Sequence, residues 1–150
     1  MNIIIKEASK EDINNGLLEV YIEGYRYHQN GRPDIFINLS DDTLKKELIK
    51  GFEEFNYLIA TENEKVVGYL AYKIKEKHLK KLHVDQLIVT EVNRRKGIGK
   101  KLMDYAEQIA NKEGCERIEL DCWTFNQNSL DMYEHIGFER QRIMYEKKIK

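Results

Sequence analysis

The feature that most constrains the fold is a strand, a basic glycine-containing turn and an amphipathic helix, one directly after another. Leu87-Ile88-Val89 is a short apolar run of strand type, and Arg94-Arg95-Lys96-Gly97-Ile98-Gly99 follows it. Beyond this turn, apolar residues recur at helical spacing at Leu102, Met103, Ala106, Ile109 and Ala110. A strand that leads into a helix in this way is typical of a mixed α/β domain.

The turn has the properties of an anion-binding site. The first N–H groups of a helix have no intrahelical partner, and the helix dipole is positive at that end. Gly97 and Gly99 remove side chains that would keep a ligand away from the backbone, and three consecutive cations add positive charge. The turn therefore suits a phosphate or pyrophosphate group, and the alternative is a turn with a solvated basic face. The predicted contacts are Arg94, Arg95, Lys96, Gly97, Ile98, Gly99 and Lys100.

Two common nucleotide motifs do not match this turn. A P-loop requires Gly-x4-Gly-Lys-Ser/Thr, and neither Gly97 nor Gly99 stands in that register. A dinucleotide fingerprint requires Gly-x-Gly-x-x-Gly, and Leu102 occupies the place of its third glycine. The pattern that remains, Arg-x-x-Gly-x-Gly, resembles the acyl-CoA pyrophosphate loop of the GNAT superfamily of N-acetyltransferases.

A second motif, further along the chain, resembles the same superfamily. A strand-like run at residues 118–123 is followed by Asn126, Ser129, Tyr133 and Gly137-Phe138. GNAT chains commonly show Asn-x-x-small-x-x-x-Tyr-x-x-x-Gly-Phe after their fifth strand, and the spacing here is the same. Because both motifs occur in the expected order, the chain is identified as a member of the GNAT superfamily by resemblance, most strongly over residues 55–145.

The rest of the chain predicts a single N-acetyltransferase domain over residues 1–150. The element order β-α-α-β-β-β-α-β-α-β resembles the GNAT, or acyl-CoA N-acyltransferase, fold with its α/β mixed sheet. Ser9-x-x-Asp12 resembles a capping box that opens the first helix, which should end near Gly31. Gly68 marks a β-bulge within its strand. Strands are predicted at residues 2–7, 57–61, 66–75, 82–89, 117–123 and 142–149, and further helices at 40–51, from 97 to Gly114, and at 126–135.

Composition limits the function classes. The 25 Lys and Arg residues nearly balance 26 Asp and Glu residues, so the overall charge does not favour a nucleic-acid partner. No apolar run is long enough to span a bilayer, and no apolar leader opens the sequence. The spacing of Cys115 and Cys122 matches no zinc or redox motif, and no metal site is expected. We expect reduced cysteines in a cytoplasmic protein without a membrane partner.

The resemblance assigns roles to Tyr133 and Asn126. In the family, the matching tyrosine directs its hydroxyl at the CoA sulfur, which makes Tyr133 the predicted acid for the departing thiolate. A phenol and a thiol have pKa values of about 10 and about 8.5, so proton transfer between them is nearly balanced. The matching asparagine contacts the cofactor, but Asn126 would also serve as a helix N-cap. For Tyr133, the alternative is a packing role in the core.

The base that takes the proton of the amine is assigned to Asp85 or His83. Period-two alternation places His83, Asp85 and Leu87 on one face of their strand. Asp85 matches an acidic position of polyamine-type GNAT members, and His83 lies near the glutamate of some histone-type members. The alternatives are a lysine-paired surface carboxylate for Asp85, a polar packing role for His83, and a reaction without a direct base.

The two substrates are expected at opposite sides of the sheet opening. By the resemblance, the backbone of Leu87, Ile88 and Val89 holds the pantetheine arm of acetyl-CoA. The acceptor site is expected between the first two helices, where residues 21–36 combine aromatic and charged side chains. The alternative is a structural role for these aromatics. Carboxylates at Glu23, Asp34 and Asp85 favour a cationic small molecule as the acceptor.

The leading hypothesis is an acetyl-CoA-dependent N-acetyltransferase that acts on a primary amine of a small molecule or protein. An alternative of another class is a non-catalytic acyl-CoA-binding sensor or assembly module on the same fold, against which the presence of Tyr133 argues. A nucleic-acid binder is disfavoured because the basic runs lack interleaved aromatics. Formation of a homodimer stays open.

Overall fold

The computed structural model describes residues 2–150. Five strands and four helices follow one another, with short 3₁₀ turns at Lys10–Asn15 and Glu91–Asn93. The elements are β1 (Ile3–Glu7), α1 (Leu17–Gly31), α2 (Asp41–Glu54), β2 (Asn56–Glu62), β3 (Lys65–Lys75), β4 (Lys81–Val89), α3 (Ile98–Lys112), β5 (Arg117–Glu119) and α4 (Gln127–His135).

The strands form one mixed sheet in the order β1-β2-β3-β4-β5. The first three pairings are antiparallel, and β4 and β5 are parallel. A parallel pair needs a crossover connection, which α3 supplies. One apolar core, the α3-side core, lies between the sheet and α3, and a second, the α2-side core, lies between the sheet and helices α1 and α2. The predicted mixed α/β architecture is confirmed.

The start of the first helix differs from the prediction. The capping box of Ser9 and Asp12 is present, but it opens a 3₁₀ turn rather than α1. Gly16, with φ 105°, then separates this turn from α1. A Cβ atom on Gly16 would lie 2.9 Å from the carbonyl oxygen of Val66, so the chain must change direction here at a residue without a side chain.

A β-bulge in β4 overturns part of the predicted alternation. Ala71 and Tyr72 are neighbours on β3, yet they pair with Gln86 and Val84, so Asp85 is the extra residue on β4. The extra residue reverses which residues of β4 face each side of the sheet beyond Asp85. Leu87 therefore packs in the α3-side core together with Val84, and it does not share a face with His83 as the alternation had predicted.

The last two predicted strands also differ. Strand β5 ends at Glu119 instead of residue 123, and residues 142–149 form no strand although one was predicted there. A strand requires a partner for its backbone N–H and C=O groups. Among residues 2–150, β5 pairs with β4 alone and lies at the edge of the sheet. Residues 142–149 are exposed along their whole length.

Candidate active site

The candidate active site is a cleft that opens where β4 and β5 separate. The two strands pair only between residues 81–83 and 117–119, and beyond these pairs they diverge. Residues 84–88 and 120–123 then face a common cavity of about 250 Å³. Helices α1 and α4 close its other sides with Gly24, Tyr25, His28 and Tyr133, and Phe36, Tyr69 and Asn126 complete the lining.

The start of α3 forms a backbone cradle beside this cleft. The first helical hydrogen bond is donated by Lys101 to the carbonyl of Gly97, and the N–H groups of residues 95–100 donate no backbone hydrogen bond within residues 2–150. Gly97 has φ 75°, and a Cβ atom there would meet nothing within 4 Å. Successive free N–H groups at a positive helix end, with open space above them, fit a pyrophosphate group.

The lysine side chains of this turn already have partners. Lys96 donates to Asn93 Oδ1 at 2.9 Å and lies 3.8 Å from a Glu62 carboxylate oxygen. Lys100 forms an ion pair with Asp104, one helical turn further on, at 2.8 Å. Ile98 is buried in the α3-side core, so only its backbone faces the cradle. In this candidate anion site, the groups left without a partner are therefore backbone N–H groups.

Arg94 connects the turn to α1. Its Nε donates to the carbonyl of Val89 at 3.3 Å, and its guanidinium lies 5.7 Å from the ring centroid of Tyr27. Arg95 is exposed and has φ 66°, in the left-handed region. Arg94 is therefore held toward the cleft, and Arg95 faces solvent.

Asn126 links α4 to α1 across the mouth of the cleft. Its Oδ1 accepts from the N–H of Ser129 at 3.3 Å, which confirms the predicted N-cap, and from the Tyr27 hydroxyl at 3.2 Å. The sequence placed Tyr27 in the acceptor patch. The structure instead places it beside Arg94 and Asn126, two residues predicted to contact the cofactor.

Tyr133 projects from α4 into the cavity. Its ring packs edge-on against Phe138, with centroids 5.8 Å apart. Burial raises the pKa of the Tyr133 hydroxyl well above its ordinary value, and the neighbouring Cys122 adds to the rise. No hydrogen bond joins this hydroxyl to another group of residues 2–150. The hydroxyl thus stays protonated throughout the physiological pH range. It is a weaker acid than the ordinary phenol expected from the sequence, so transfer of its proton to a thiolate is no longer nearly balanced, but it is available as a hydrogen-bond donor inside the cavity.

Asp85 lies on the opposite wall of the cavity. Partial desolvation raises the pKa of Asp85, Glu54 adds to the rise, and the charges of His83 and Lys73 oppose it. Asp121 also lines the cavity, from the segment after β5. One carboxylate from β4 and one from the segment after β5 therefore face one space, and a raised pKa makes Asp85 a better proton acceptor than an ordinary aspartate.

His83 does not line the cavity. It lies where β4 and β5 still pair, and its Nδ1 is 2.6 Å from Glu119 Oε2. Lys81 binds the other oxygen of the same carboxylate at 2.8 Å. Burial alone would raise the pKa of Glu119, but the hydrogen bonds from Lys81 and His83 outweigh it and lower that pKa. His83 is therefore engaged in an ion-pair cluster beneath the cleft.

A group of aromatic side chains, the aromatic wall, borders the cavity beside α1. We use this name for Tyr25, His28, Phe36, Trp123 and Phe125. Phe36 is at its centre, with ring centroids 5.8 Å from Tyr25, 5.3 Å from His28 and 5.8 Å from Trp123. The guanidinium of Arg32 lies 5.1 Å from the Trp123 ring centroid.

Sequence reasoning missed two members of the wall, Trp123 and Phe125, and the chemistry of His28. The alternation Trp-x-Phe in the segment after β5 was the available signal.

His28 Nδ1 lies 2.8 Å from the carbonyl oxygen of Gly24. Because a carbonyl only accepts, Nδ1 carries the proton, and the Nε2 of the neutral ring is an acceptor. His28 is thus a second proton acceptor among the cavity-lining residues.

Comparison with known proteins decides the family. The model of the acetyltransferase (GNAT) family matches residues 17–138, most of the chain. The chain belongs to the GNAT acetyltransferase family. The matched range includes the cradle at α3, the cleft and Tyr133, so the predicted family membership is confirmed.

Individual relatives agree with this assignment. The chain is 24% identical over 153 residues to an uncharacterized N-acetyltransferase of Methanocaldococcus jannaschii. The aligned region covers 93% of this chain but only 62% of that protein. A solved structure of a tetramutant of the BH1408 protein from Bacillus halodurans superposes with a TM-score of 0.84 at 22% identity, over 97% of this chain and 99% of that one. Glucosamine-6-phosphate N-acetyltransferase from Arabidopsis thaliana gives a TM-score of 0.70 at 19% identity, with both chains covered completely. At these identities the solved structures show the shared fold.

Two further observations concern other kinds of site. None of the helices described within residues 2–150 has the length and apolarity needed to cross a bilayer. In the same residues, no group of three or more His, Cys, Asp or Glu side chains is arranged to hold a metal ion.

Proposed function

We propose that this chain transfers the acetyl group of acetyl-CoA to a primary amine, by direct attack of the amine in a ternary complex. One observation carries the proposal. The cavity between the separated ends of β4 and β5 brings a carboxylate of raised pKa, Asp85, and a protonated hydroxyl, Tyr133, into one space beside a backbone anion cradle. Such an arrangement of proton acceptor, proton donor and anion site suits acyl transfer from a thioester to an amine.

The cradle and the diverging strands would hold acetyl-CoA. The N–H groups of residues 95–100 suit its pyrophosphate, and the edge of β4 at Leu87, Ile88 and Val89 is available to its extended pantetheine arm. Asn126 and Arg94 border the same path through their contacts with Tyr27. Bound there, acetyl-CoA supplies an acetyl group activated as a thioester.

Asp85 and Tyr133 have complementary roles in the proposal. An alkyl ammonium with a pKa of about 10.4 must lose a proton before it can attack, and Asp85 accepts that proton directly or through water. As the carbon–nitrogen bond forms and the carbon–sulfur bond breaks, the Tyr133 hydroxyl donates to the departing sulfur. His28 is a second candidate acceptor, because its Nε2 is unprotonated in the neutral ring.

The acceptor is proposed to be a cationic small molecule. Asp85 and Asp121 attract an ammonium group, and the aromatic wall next to them can enclose an aliphatic chain or face a cation.

Cys115 and Cys122 are both free thiols in the structure, which supports the proposal that the protein works in the reducing cytoplasm.

The test is a screen of amines with acetyl-CoA in which release of the free thiol is followed. The panel contains polyamines, amino acids, aminoglycosides and peptides with free amino groups, together with neutral amides as blanks. We expect release with at least one primary amine, and that release should be lost in Tyr133→Phe. Tight CoA binding without thiol release from any amine would contradict the proposal and favour a non-catalytic binding module.

A further inference from the structure

The bulge in β4 brings two consecutive side chains into one cavity. Along a regular strand, neighbouring side chains point to opposite faces of the sheet. Asp85 is the extra residue of the bulge, and both Asp85 and Gln86 line the cavity. A bulge beside an active site commonly redirects a side chain in this way. A carboxylate and a carboxamide are therefore presented side by side to the same ligand.

The side chain of Gln86 is held in one orientation by Tyr69. The Tyr69 hydroxyl donates a hydrogen bond to Gln86 Oε1 at 2.9 Å. Tyr69 is only 1% exposed, and burial raises the pKa of its hydroxyl well above the ordinary value, so this hydroxyl remains a donor. Because a buried hydroxyl without an acceptor is costly, the contact keeps the amide oxygen on the Tyr69 side.

The amide nitrogen of Gln86 is the group left over. Within residues 2–150, Nε2 of Gln86 donates to no other group, although Gln86 lines the cavity. A carboxamide nitrogen carries two N–H donors and accepts nothing. Ionised Asp85, by contrast, only accepts. The cavity thus offers an acceptor for an ammonium group and, from the next residue along the strand, donors for an oxygen.

The charge of the lining indicates which kind of oxygen fits. Asp85 and Asp121 both line the cavity, and its lining within residues 2–150 contains no lysine or arginine. An acceptor carboxylate would lie near two like charges without a cation to pair with. A neutral carbonyl or hydroxyl oxygen carries no such cost, and a carboxamide donates to it readily.

We infer that the acceptor carries a neutral carbonyl or hydroxyl oxygen on the carbon adjacent to its amine-bearing carbon, as in an α-amino amide or a 1,2-amino alcohol. Asp85 binds the ammonium group, and Gln86 Nε2 donates to the oxygen. The two groups of the ligand must be close together because they meet consecutive residues. Gln86 then determines specificity, and Tyr69 is a positioning residue that orients it. This inference rests on the proposed function, since it takes the cavity as the acceptor site.

The test compares amines that differ in this oxygen. Glycinamide supplies a carbonyl and ethanolamine a hydroxyl, propylamine replaces the hydroxyl by a methyl group, and glycine replaces the amide by a carboxylate. At least one of the first two should exceed propylamine in kcat/KM by about tenfold, the usual effect of one neutral hydrogen bond, and glycine should fall below both. Because the amines differ in pKa, the decisive quantity is the change in these ratios between variant and parent.

Three substitutions locate the effect. Gln86→Leu should abolish the advantage over propylamine, which itself should lose far less. Gln86→Glu should shift the preference toward ethylenediamine, whose second ammonium group would meet the new carboxylate. Tyr69→Phe should reduce the advantage severalfold. Tyr57→Phe is the matched control, because Tyr57 is a buried tyrosine with its ring centroid 5.9 Å from that of Tyr69 but outside the cavity lining, and it should keep the parent ratios.

Three results would overturn the inference. They are a parent without preference for either oxygen-bearing amine, a ratio that survives Gln86→Leu, and an equal loss for all amines in Gln86→Leu, which would place Gln86 at the thioester instead. Equal effects of Tyr69→Phe and Tyr57→Phe would remove the positioning role of Tyr69. Titration of the CoA-saturated protein with the same amines, followed by NMR, measures the preference without turnover. A preference in binding without thiol release would contradict the proposed function alone, and turnover without a preference would contradict this inference alone.

Discussion

The backbone cradle and the aromatic wall are built in different ways. The cradle is a contiguous stretch, residues 95–100, whose backbone N–H groups are free. The aromatic wall is built from side chains of α1, of the connection to α2 and of the segment after β5. The backbone cradle depends on local conformation at one glycine. The wall depends on tertiary packing between residues about 90 positions apart.

The largest effect is expected at Tyr133, which lines the same cavity as the aromatic wall. Tyr133→Phe should lower kcat by roughly 10²- to 10⁴-fold, the usual contribution of general acid catalysis. CoA affinity should be retained, because the ring and its contact with Phe138 remain. Steady-state thiol release and calorimetric titration with CoA measure the two quantities.

Tyr105→Phe is the matched control for Tyr133→Phe. Tyr105 is a partly buried tyrosine that packs against the same core from α3, outside the cavity lining. Removal of the Tyr105 hydroxyl should leave kcat unchanged. Equal effects of the two substitutions on kcat, or no effect of either, would assign Tyr133 a packing role.

The cradle is tested by Gly97→Asp, which places a side chain and a negative charge where phosphates would approach. We expect CoA affinity to fall roughly a hundredfold, or about 2.7 kcal/mol, with the fold retained. Gly114→Asp is a close control, since Gly114 also has φ 75° and open space around its Cβ position but follows the other end of α3. Both variants carry the same backbone strain. Comparable CoA affinities by calorimetry would show that the start of α3 is not the anion site.

Asp85→Asn tests the base. At pH 7 we expect kcat/KM for an amine to fall roughly tenfold, with the deficit shrinking at higher pH as more amine arrives neutral. His83→Gln is the comparison, because His83 binds Glu119 outside the cavity. Loss of its charge removes a contribution that lowers the pKa of Asp85, so the pH profile should shift, but kcat/KM at pH 7 should fall far less than in Asp85→Asn. The reverse result, with kcat/KM at pH 7 lowered only in His83→Gln, would move the role of base to His83.

The thermal stability of Asp85→Asn independently tests whether the pKa of Asp85 is raised in the folded state. The pKa of Asp85 is raised in the folded state, so the protonated carboxyl favours folding, and this contribution is lost as pH rises through the folded-state pKa. Asparagine is neutral at every pH. The thermal midpoint of the variant should therefore exceed that of the parent at pH 7, and the two should converge below about pH 4. A lower midpoint at pH 7 would indicate a structural role.

The smallest effect is expected at the aromatic wall. Phe36→Ala removes edge-on contacts worth about 0.5 to 1.5 kcal/mol each, so KM for the acceptor should rise severalfold while KM for acetyl-CoA is unchanged. Phe52→Ala, which removes a ring stacked on Tyr57 in the α2-side core, controls for general loss of packing. If both Michaelis constants move together in Phe36→Ala, the wall is structural and the acceptor enters elsewhere.

Local sequence predicted the elements that local forces determine. Ser40 caps α2 by accepting from the N–H of Thr43, and Gly97 and Gly114 border α3 as expected from their conformational freedom. The cradle could be predicted for the same reason, since the conformation that frees its N–H groups is set within a few residues. The predicted contacts of Arg94, Lys96 and Lys100 with CoA stay predictions, because the structure shows their intramolecular partners.

Predictions that required knowledge of distant neighbours were less accurate. The predicted alternation of faces along β4 was wrong beyond Asp85, because the bulge at Asp85 depends on how β4 pairs with β3. The last strand was wrong because strand formation needs a hydrogen-bonding partner, and residues 142–149 have none within the described chain. Gly16, with φ 105°, separates the 3₁₀ turn from α1, and the backbone of Val66 leaves no room there for a side chain.

The sequence by itself determined the family, the mixed sheet and the positions of the anion cradle and Tyr133, because each depends on motif spacing or on forces between near neighbours. The tertiary structure alone decided that Asp85 faces the cleft while His83 lies beneath it, and that Tyr27 links Arg94 to Asn126. It also joined Phe36 to Trp123 in one wall. These arrangements depend on strand register and on packing between distant segments, and neither is encoded in a local pattern.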